Sequence, residues 1–190
     1  MDGPATRTIR PLAEWWFVDE SKSRGYHVVA VAAAEPRLAA VRKGLRALCR
    51  PGQRRLHFTR ESEASRRQLT GALVRLPVRA RVWSVRGRDD KSARIDCLAA
   101  LVADASAVGA ARLVLERDAS IEAADRRILR EELRRVDDTT MRYGHLDAHE
   151  EPLLWVADAV AWAQQAGGDW PRRFAPLVQQ IRRLDRETRR

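Results

Sequence analysis

Two apolar segments near the start of the chain are joined by a connection too short for anything but a hairpin, and this constrains the fold from its first strand. Glu14-Trp15-Trp16-Phe17-Val18-Asp19 is aromatic and β-branched and ends in polar residues, and Tyr26 to Ala33 is rich in Val and Ala. Only Asp19-Glu20-Ser21-Lys22-Ser23-Arg24-Gly25 separates the two. A parallel neighbour would require a crossover of a dozen or more residues, so the spacing predicts antiparallel strands.

Beyond the hairpin the chain mostly alternates helical and extended patterns. After Pro36, Leu38, Val41, Leu45 and Leu48 recur at helical spacing, and Pro51-Gly52 ends that helix. Leu56-His57-Phe58 reads as a short extended piece, and Glu61 to Leu76 as a second helix stopped by Pro77. Val78 to Val85 alternates as a third strand. Ile95, Leu98, Leu101, Val102 and Ala105 mark a long helix, with Arg112 to Glu116 after it as a short buried strand. Ile121 to Val136 reads as a helix and Thr140 to His145 as a strand. Pro152 suits the first turn of a helix that Gly167-Gly168 ends. Trp170 to Arg190 is expected to form a terminal basic, amphipathic helix with a fraying last turn.

With residues 36–77 set aside as a helical insert, the order is three strands, then helix, strand, helix, strand, helix. An antiparallel hairpin region ahead of alternating helices and strands implies an α/β fold, a mixed sheet flanked by helices. That is the element order of the RNase H-like fold. At 190 residues the chain is expected to form a single domain.

Hydrophobic residues make up 45% and are spread from end to end, which is a globular composition. No apolar run approaches the roughly 20 residues of a membrane span, and the first residues do not read as a secretory signal. Cys49 and Cys97 lie in helix-like stretches without metal-ligand spacing, and read as reduced, packed thiols of a cytoplasmic protein. Lys+Arg number 36 against Asp+Glu 26, a net charge of +10. Basic residues are dense from Arg37 to Arg94 and again in the tail, which favours polyanions, nucleic acid among them. Solvated arginine-rich helix faces are the plainer reading of each cluster.

Most acids fall where solvent is expected, but three do not. Asp19 comes after Trp15, Trp16, Phe17 and Val18; Glu116 comes after Leu113, Val114 and Leu115; Asp158 sits mid-helix between apolar neighbours. Asp158 is too far along its helix for capping or the helix dipole to account for it. A carboxylate in such a setting is costly unless paired, hydrogen-bonded or bound to metal. Two of the three end strands expected to be parallel neighbours, where ligand sites of open α/β sheets gather. A helix with a small inner face at Ala157 and Ala161 could bring Asp158 to them. Three hard oxygen donors suit Mg²⁺ or Mn²⁺, not Zn²⁺. Each acid also has a structural explanation: Asp19 capping the turn, Glu116 pairing with an arginine, Asp158 answering a buried arginine. Asp118, of the same strand parity as Glu116, is the substitute ligand. Asp96 and Asp104 are candidates for a fourth, and Glu20 points to the opposite face.

His57 and His145 read as structural or surface residues. His149-Glu150-Glu151 reads as a cap of the last long helix, or as an outer-shell acid or proton shuttle. There is no Gly-rich phosphate loop, nucleophile elbow or Cys/His zinc spacing. The tryptophans at 15, 16, 83, 155, 162 and 170 read mostly as core.

Two segments carry a resemblance to a known family. Phe17-Val18-Asp19-Glu20-Ser21, leading into a hairpin, resembles the opening of a broad prokaryotic family that begins Asp-Glu-Ser-Gly. Glu150-Glu151-Pro152-Leu153-Leu154-Trp155-Val156-Ala157-Asp158-Ala159-Val160-Ala161-Trp162 resembles its closing helix, where an Ala-Asp pair comes after a Leu-rich turn. The resemblance runs from about Trp15 to Trp170, with Lys22 standing where the family has glycine. That family is a domain of unknown function with an RNase H-like fold, suspected of metal-dependent nuclease activity. The resemblance implies a first acid at Asp19, a last at Asp158, and a middle one at Glu116 or, second, Asp118. Membership implies the fold more firmly than the activity.

The leading expectation is therefore a Mg²⁺- or Mn²⁺-dependent nuclease. Asp19, Glu116 and Asp158 would hold the ions, and the basic insert and tail would hold substrate phosphates. The alternative is a nucleic-acid- or protein-binding module of the same fold without useful turnover. A metal-dependent phosphatase or other small-molecule hydrolase is a third class.

Overall fold

The computed structural model describes residues 12–185. The opening residues and the end of the expected terminal helix lie outside this range. Strands β1 (Glu14–Ser21) and β2 (Tyr26–Ala34) pair antiparallel, with Asp19 opposite Val29. Gly25, at φ 101°, closes the turn, and a Cβ there would lie 3.2 Å from the Val85 carbonyl oxygen. β3 (Arg79–Val85) adds antiparallel to β2. β4 (Arg112–Glu116) lies parallel to β1, and β5 (Arg142–Leu146) parallel to β4. With β6 (Val178–Arg183), the sheet runs β5-β4-β1-β2-β3-β6.

Helices cover both faces, so the central strands are apolar on both sides. On one face, α1 (Leu38–Arg46), α2 (Glu63–Leu73) and α5 (Leu153–Ala166) pack over Phe17, Val29, Val31, Val82 and Val114. On the other, α3 (Asp90–Ala107) and α4 (Glu122–Arg135) pack over Trp16, Val18, Val28, Trp83, Leu113 and Leu115. Each such side chain, fully buried, is worth about 1.5–3 kcal/mol of transfer free energy. The two-residue period of the strands then assigns the polar residues at their ends. Asp19 shares the α5 face with Phe17 and Glu116 shares it with Val114, while Glu20 shares the α3 face with Val18.

The insert is helical, as its periodicity predicts. A single 3-10 turn (Glu35–Arg37) leads into α1, and another (Phe58–Arg60) precedes α2. Ser62 caps α2 by accepting from the Ser65 N–H at 3.2 Å. Ser62→Ala is expected to lower stability by about 1 kcal/mol, read from the midpoint of urea unfolding; no change would show the cap to be replaced by water.

The C-terminal region departs from expectation. The helix expected from Trp170 to Arg190 is only α6 (Trp170–Phe174), and the chain then forms β6 parallel to β3. The cause is tertiary: without β6, β3 would end the sheet with a row of unpaired backbone groups. Val178-Gln179-Gln180-Ile181-Arg182-Arg183 carries no local signal strong enough to keep it helical against that demand. Both cysteines are free thiols, Cys97 buried and Cys49 partly so. Among the described residues, no helix is long and apolar enough to cross a membrane.

A carboxylate-lined cleft at the carboxyl ends of strands β1 and β4

The parallel pairing of β1 and β4 sets Val18 beside Leu115, so the chain leaves both strands at the same edge of the sheet. Asp19 and Glu116 sit at that edge. α5 packs on the same strands through Ala157 and Ala161, which are buried, and the lack of bulk there lets the helix lie close. A cleft of 680 Å³ opens between them, lined by Asp19, Glu116, Asp118 and Asp158 with His57, Lys22 and Trp162 among the other walls.

The acids differ in how they are held. Asp19 Oδ1 accepts from the Glu20 N–H at 2.7 Å. Burial, and then the charges of Glu116 and Asp158, push the Asp19 carboxyl well above the ordinary carboxylate range, against the lowering effect of that backbone bond. Among the described residues no lysine, arginine or histidine forms an ion pair with it. Asp158 Oδ2 accepts from the Phe58 N–H at 2.9 Å and faces His57 Nδ1 at 3.5 Å. Glu116 Oε1 meets Arg55 Nη1 at 3.1 Å. Asp118 is exposed, and its Oδ1 accepts from both the N–H and the hydroxyl of Ser120, which hold its carboxyl below the usual range. Asp118 therefore lines the cleft as the cap of a turn.

The helical insert supplies one wall. Arg66 of α2 donates to the carbonyls of Phe58 (2.7 Å) and Thr59 (2.8 Å), and its guanidinium lies 4.4 Å from the centre of the Trp162 ring. Phe58 is buried between Trp162 and Phe174, with ring centres 5.6 and 5.9 Å away. The turn that carries His57 and the Phe58 amide to Asp158 is thus fixed by packing and by two charge-assisted bonds. Sequence spacing marks His57 only as a structural or surface residue; its one local signal is its place between two buried apolar residues, Leu56 and Phe58.

Several other expectations resolve differently. Asp158 answers no arginine; the acid that does is Asp125 on α4. Buried Arg94 binds it in a bidentate pair, Nε to Oδ1 and Nη2 to Oδ2, both at 2.6 Å. Arg94 also donates to Tyr26 and Glu20, and His145 Nε2 lies 3.3 Å from Asp125 Oδ2. Glu20 therefore serves the opposite face of the sheet, as its parity requires. Asp96 pairs with Arg88, and Asp104 binds the Trp83 indole N–H (2.9 Å) and Arg182 (2.6 Å). Both belong to α3 and neither lines the cleft, which removes them as a fourth ligand. Glu151 caps α5 by accepting from the Leu153 N–H at 3.2 Å, and pairs with Arg42 at 2.6 Å.

Asp147, His149 and Glu150 bring one donor atom each within 4.8 Å of one another. Their contacts are those of the turn before α5: Glu150 accepts from the Asp147 N–H, and Asp147 pairs with Arg117. A hollow of 400 Å³ lies between this turn and the cleft, lined by Arg54, Arg55, Glu116, Arg117 and His149. The tail arginines are elsewhere: Arg172 and Arg173 pair with Asp169, and Arg182 with Asp104.

No protein-family model matches the chain, and no curated protein does. Among solved structures, the chain is similar to the ribonuclease in the PCNA:RNase HII complex of Archaeoglobus fulgidus. The match has a TM-score of 0.52 at 15% identity and covers 80% of this chain and 72% of that one. The fold is RNase H-like. At that identity the likeness concerns the fold alone, and the chemistry has to be argued from the cleft.

Proposed function

We propose that the cleft holds one or two Mg²⁺ or Mn²⁺ ions on Asp19, Glu116 and Asp158, and that the protein hydrolyses phosphodiesters of nucleic acid. The observation that carries this reading is the crowding of three carboxylates from three elements in one cleft, where Asp19 has no cationic partner among the described residues. Such a surplus of negative charge is stabilised by a hard divalent cation, and carboxylate oxygens are the donors such cations take. The fold of the A. fulgidus ribonuclease supports a nucleic-acid substrate, as does the chain's net charge of +10.

A cation bound there would lower the pKa of a bound water and offset the charge of the leaving oxygen. The protein's own groups do the rest. The Phe58 N–H holds one oxygen of Asp158 and leaves the other free to bind. Arg55 orients Glu116, and the Glu20 N–H orients Asp19. Lys22, Arg54 and Arg117, along the cleft and its neighbouring hollow, would meet the phosphates on either side of the scissile bond.

One observation favours the second reading, a binding module without turnover: Arg55 already pairs with Glu116. A Mn²⁺ titration by calorimetry on wild type and Asp158→Ala, both checked by far-UV circular dichroism, separates the two. Saturable binding in the wild type and its loss in the folded variant are expected. A folded wild type that takes up no Mn²⁺, even with an oligonucleotide present, would remove the nuclease reading and leave the binding module.

A further inference from the structure

We propose that His57 is a nitrogen ligand of the same ion, so that the donor set is three carboxylates and one imidazole and the site selects Mn²⁺ over Mg²⁺. This rests on the metal reading of the cleft and adds to it the identity of the metal.

His57 Nδ1 lies 3.5 Å from Asp158 Oδ2, at the outer limit of a hydrogen bond and beyond the usual range for nitrogen and oxygen. Two donor atoms each about 2.1 Å from one ion, at angles of about 90–110°, stand about 3.0–3.4 Å apart. The observed separation is close to that of two ligands of a shared ion. Asp158 Oδ2 already accepts the Phe58 N–H at 2.9 Å, so its orientation does not depend on the imidazole.

The ring is held by its surroundings and not by a bond of its own. His57 forms no side-chain hydrogen bond among the described residues, and about a third of its side chain is exposed. Its neighbours Leu56 and Phe58 are buried and anchor the backbone on both sides. Arg66 fixes the carbonyls of the adjoining turn. The ring is therefore carried to the cleft by the insert's packing and arrives with its nitrogens uncommitted, in the same cleft as Asp19, Glu116 and Asp158. A solvated histidine has no need of such bracing, and a core histidine would be enclosed with a partner, as His145 is with Asp125.

Donor chemistry decides the metal. Mg²⁺ takes oxygen almost exclusively and keeps several waters, whereas imidazole suits first-row transition metals. A carboxylate-rich set with one nitrogen is a Mn²⁺-preferring site.

Pulsed EPR on Mn²⁺-loaded wild type reads coordination directly and is expected to show ¹⁴N coupling from a bound imidazole. Labelling histidine with ¹⁵N should move it to ¹⁵N frequencies without altering the protein. His57→Ala, whose partly exposed ring bears no structural bond, should remove the coupling. It should weaken Mn²⁺ binding by about 10–100-fold, the range for losing a metal-site partner, with Mg²⁺ affinity changed by less than about threefold. Saturable Mn²⁺ binding without ¹⁴N coupling, or coupling that survives in His57→Ala, would overturn the assignment of His57 and leave the carboxylate site standing. Absence of any Mn²⁺ binding to the folded wild type would overturn both.

Discussion

Asp19→Asn is expected to abolish catalysis and, in the metal-free protein, to raise stability. The two effects have one cause. The Asp19 carboxylate is buried beside Glu116 and Asp158 with no cationic side chain among the described residues to answer it, so its charge opposes folding until a cation is bound. Asparagine keeps an oxygen for the Glu20 N–H and removes the charge. The thermal midpoint of the metal-free variant should rise by about 2–4 °C for each kcal/mol relieved. Hydrolysis of labelled oligonucleotides should fall at least about a thousandfold, since a metal ion supplies several kcal/mol of transition-state stabilisation. Added Mn²⁺ should stabilise wild type and leave the variant unchanged. A variant less stable than wild type without metal would mean that Asp19 is a structural acid with a partner.

Asp125→Ala should have the opposite character, a large loss of stability with no direct bearing on the cleft. Asp125 and Arg94 form a bidentate pair in the layer between the sheet and α4, both side chains nearly inaccessible to water. Removing one partner leaves a buried guanidinium with only Glu20 and Tyr26, at a cost of about 3–5 kcal/mol. Replacing both residues by leucine should recover part of that, because no uncompensated charge then remains. Burial by itself would raise the Asp125 carboxyl, but the Arg94 hydrogen bonds, aided by His145, outweigh it and hold the group below its ordinary value. A depressed carboxylate stabilises the fold fully above its unfolded pKa of about 3.9. That contribution is lost as pH falls through the lower folded value. Wild type should therefore show an acid-side loss of stability in this window that the double leucine variant shows less of. A loss below about 1 kcal/mol for Asp125→Ala in urea unfolding would contradict the role given to this pair.

The sequence by itself determined the strand and helix order through β5 and α5, because periodicity and short connections are local properties. The seven residues from Asp19 to Gly25 dictate a hairpin, and the alternation along β1 and β4 places Asp19 and Glu116 on one face and Glu20 on the other. Asp158 stands out because nothing local explains an acid in the middle of α5. These are statements about faces and ends of elements, which a one-dimensional pattern contains.

Tertiary structure decided the rest. Arg94 and Asp125 look like ordinary helix-surface charges in the sequence, since nothing in either helix announces that the other will bury it. Asp96 and Asp104 are candidates for the cleft only so long as the face on which α3 packs is unknown. Val178 to Arg183 becomes a strand because β3 offers an edge, a requirement no local propensity encodes. His57 reaches Asp158 across a separation of about a hundred residues, through the packing of Phe58 and the bonds of Arg66. Periodicity reports which side of an element meets the core, whereas which two elements meet is fixed only when the chain closes on itself.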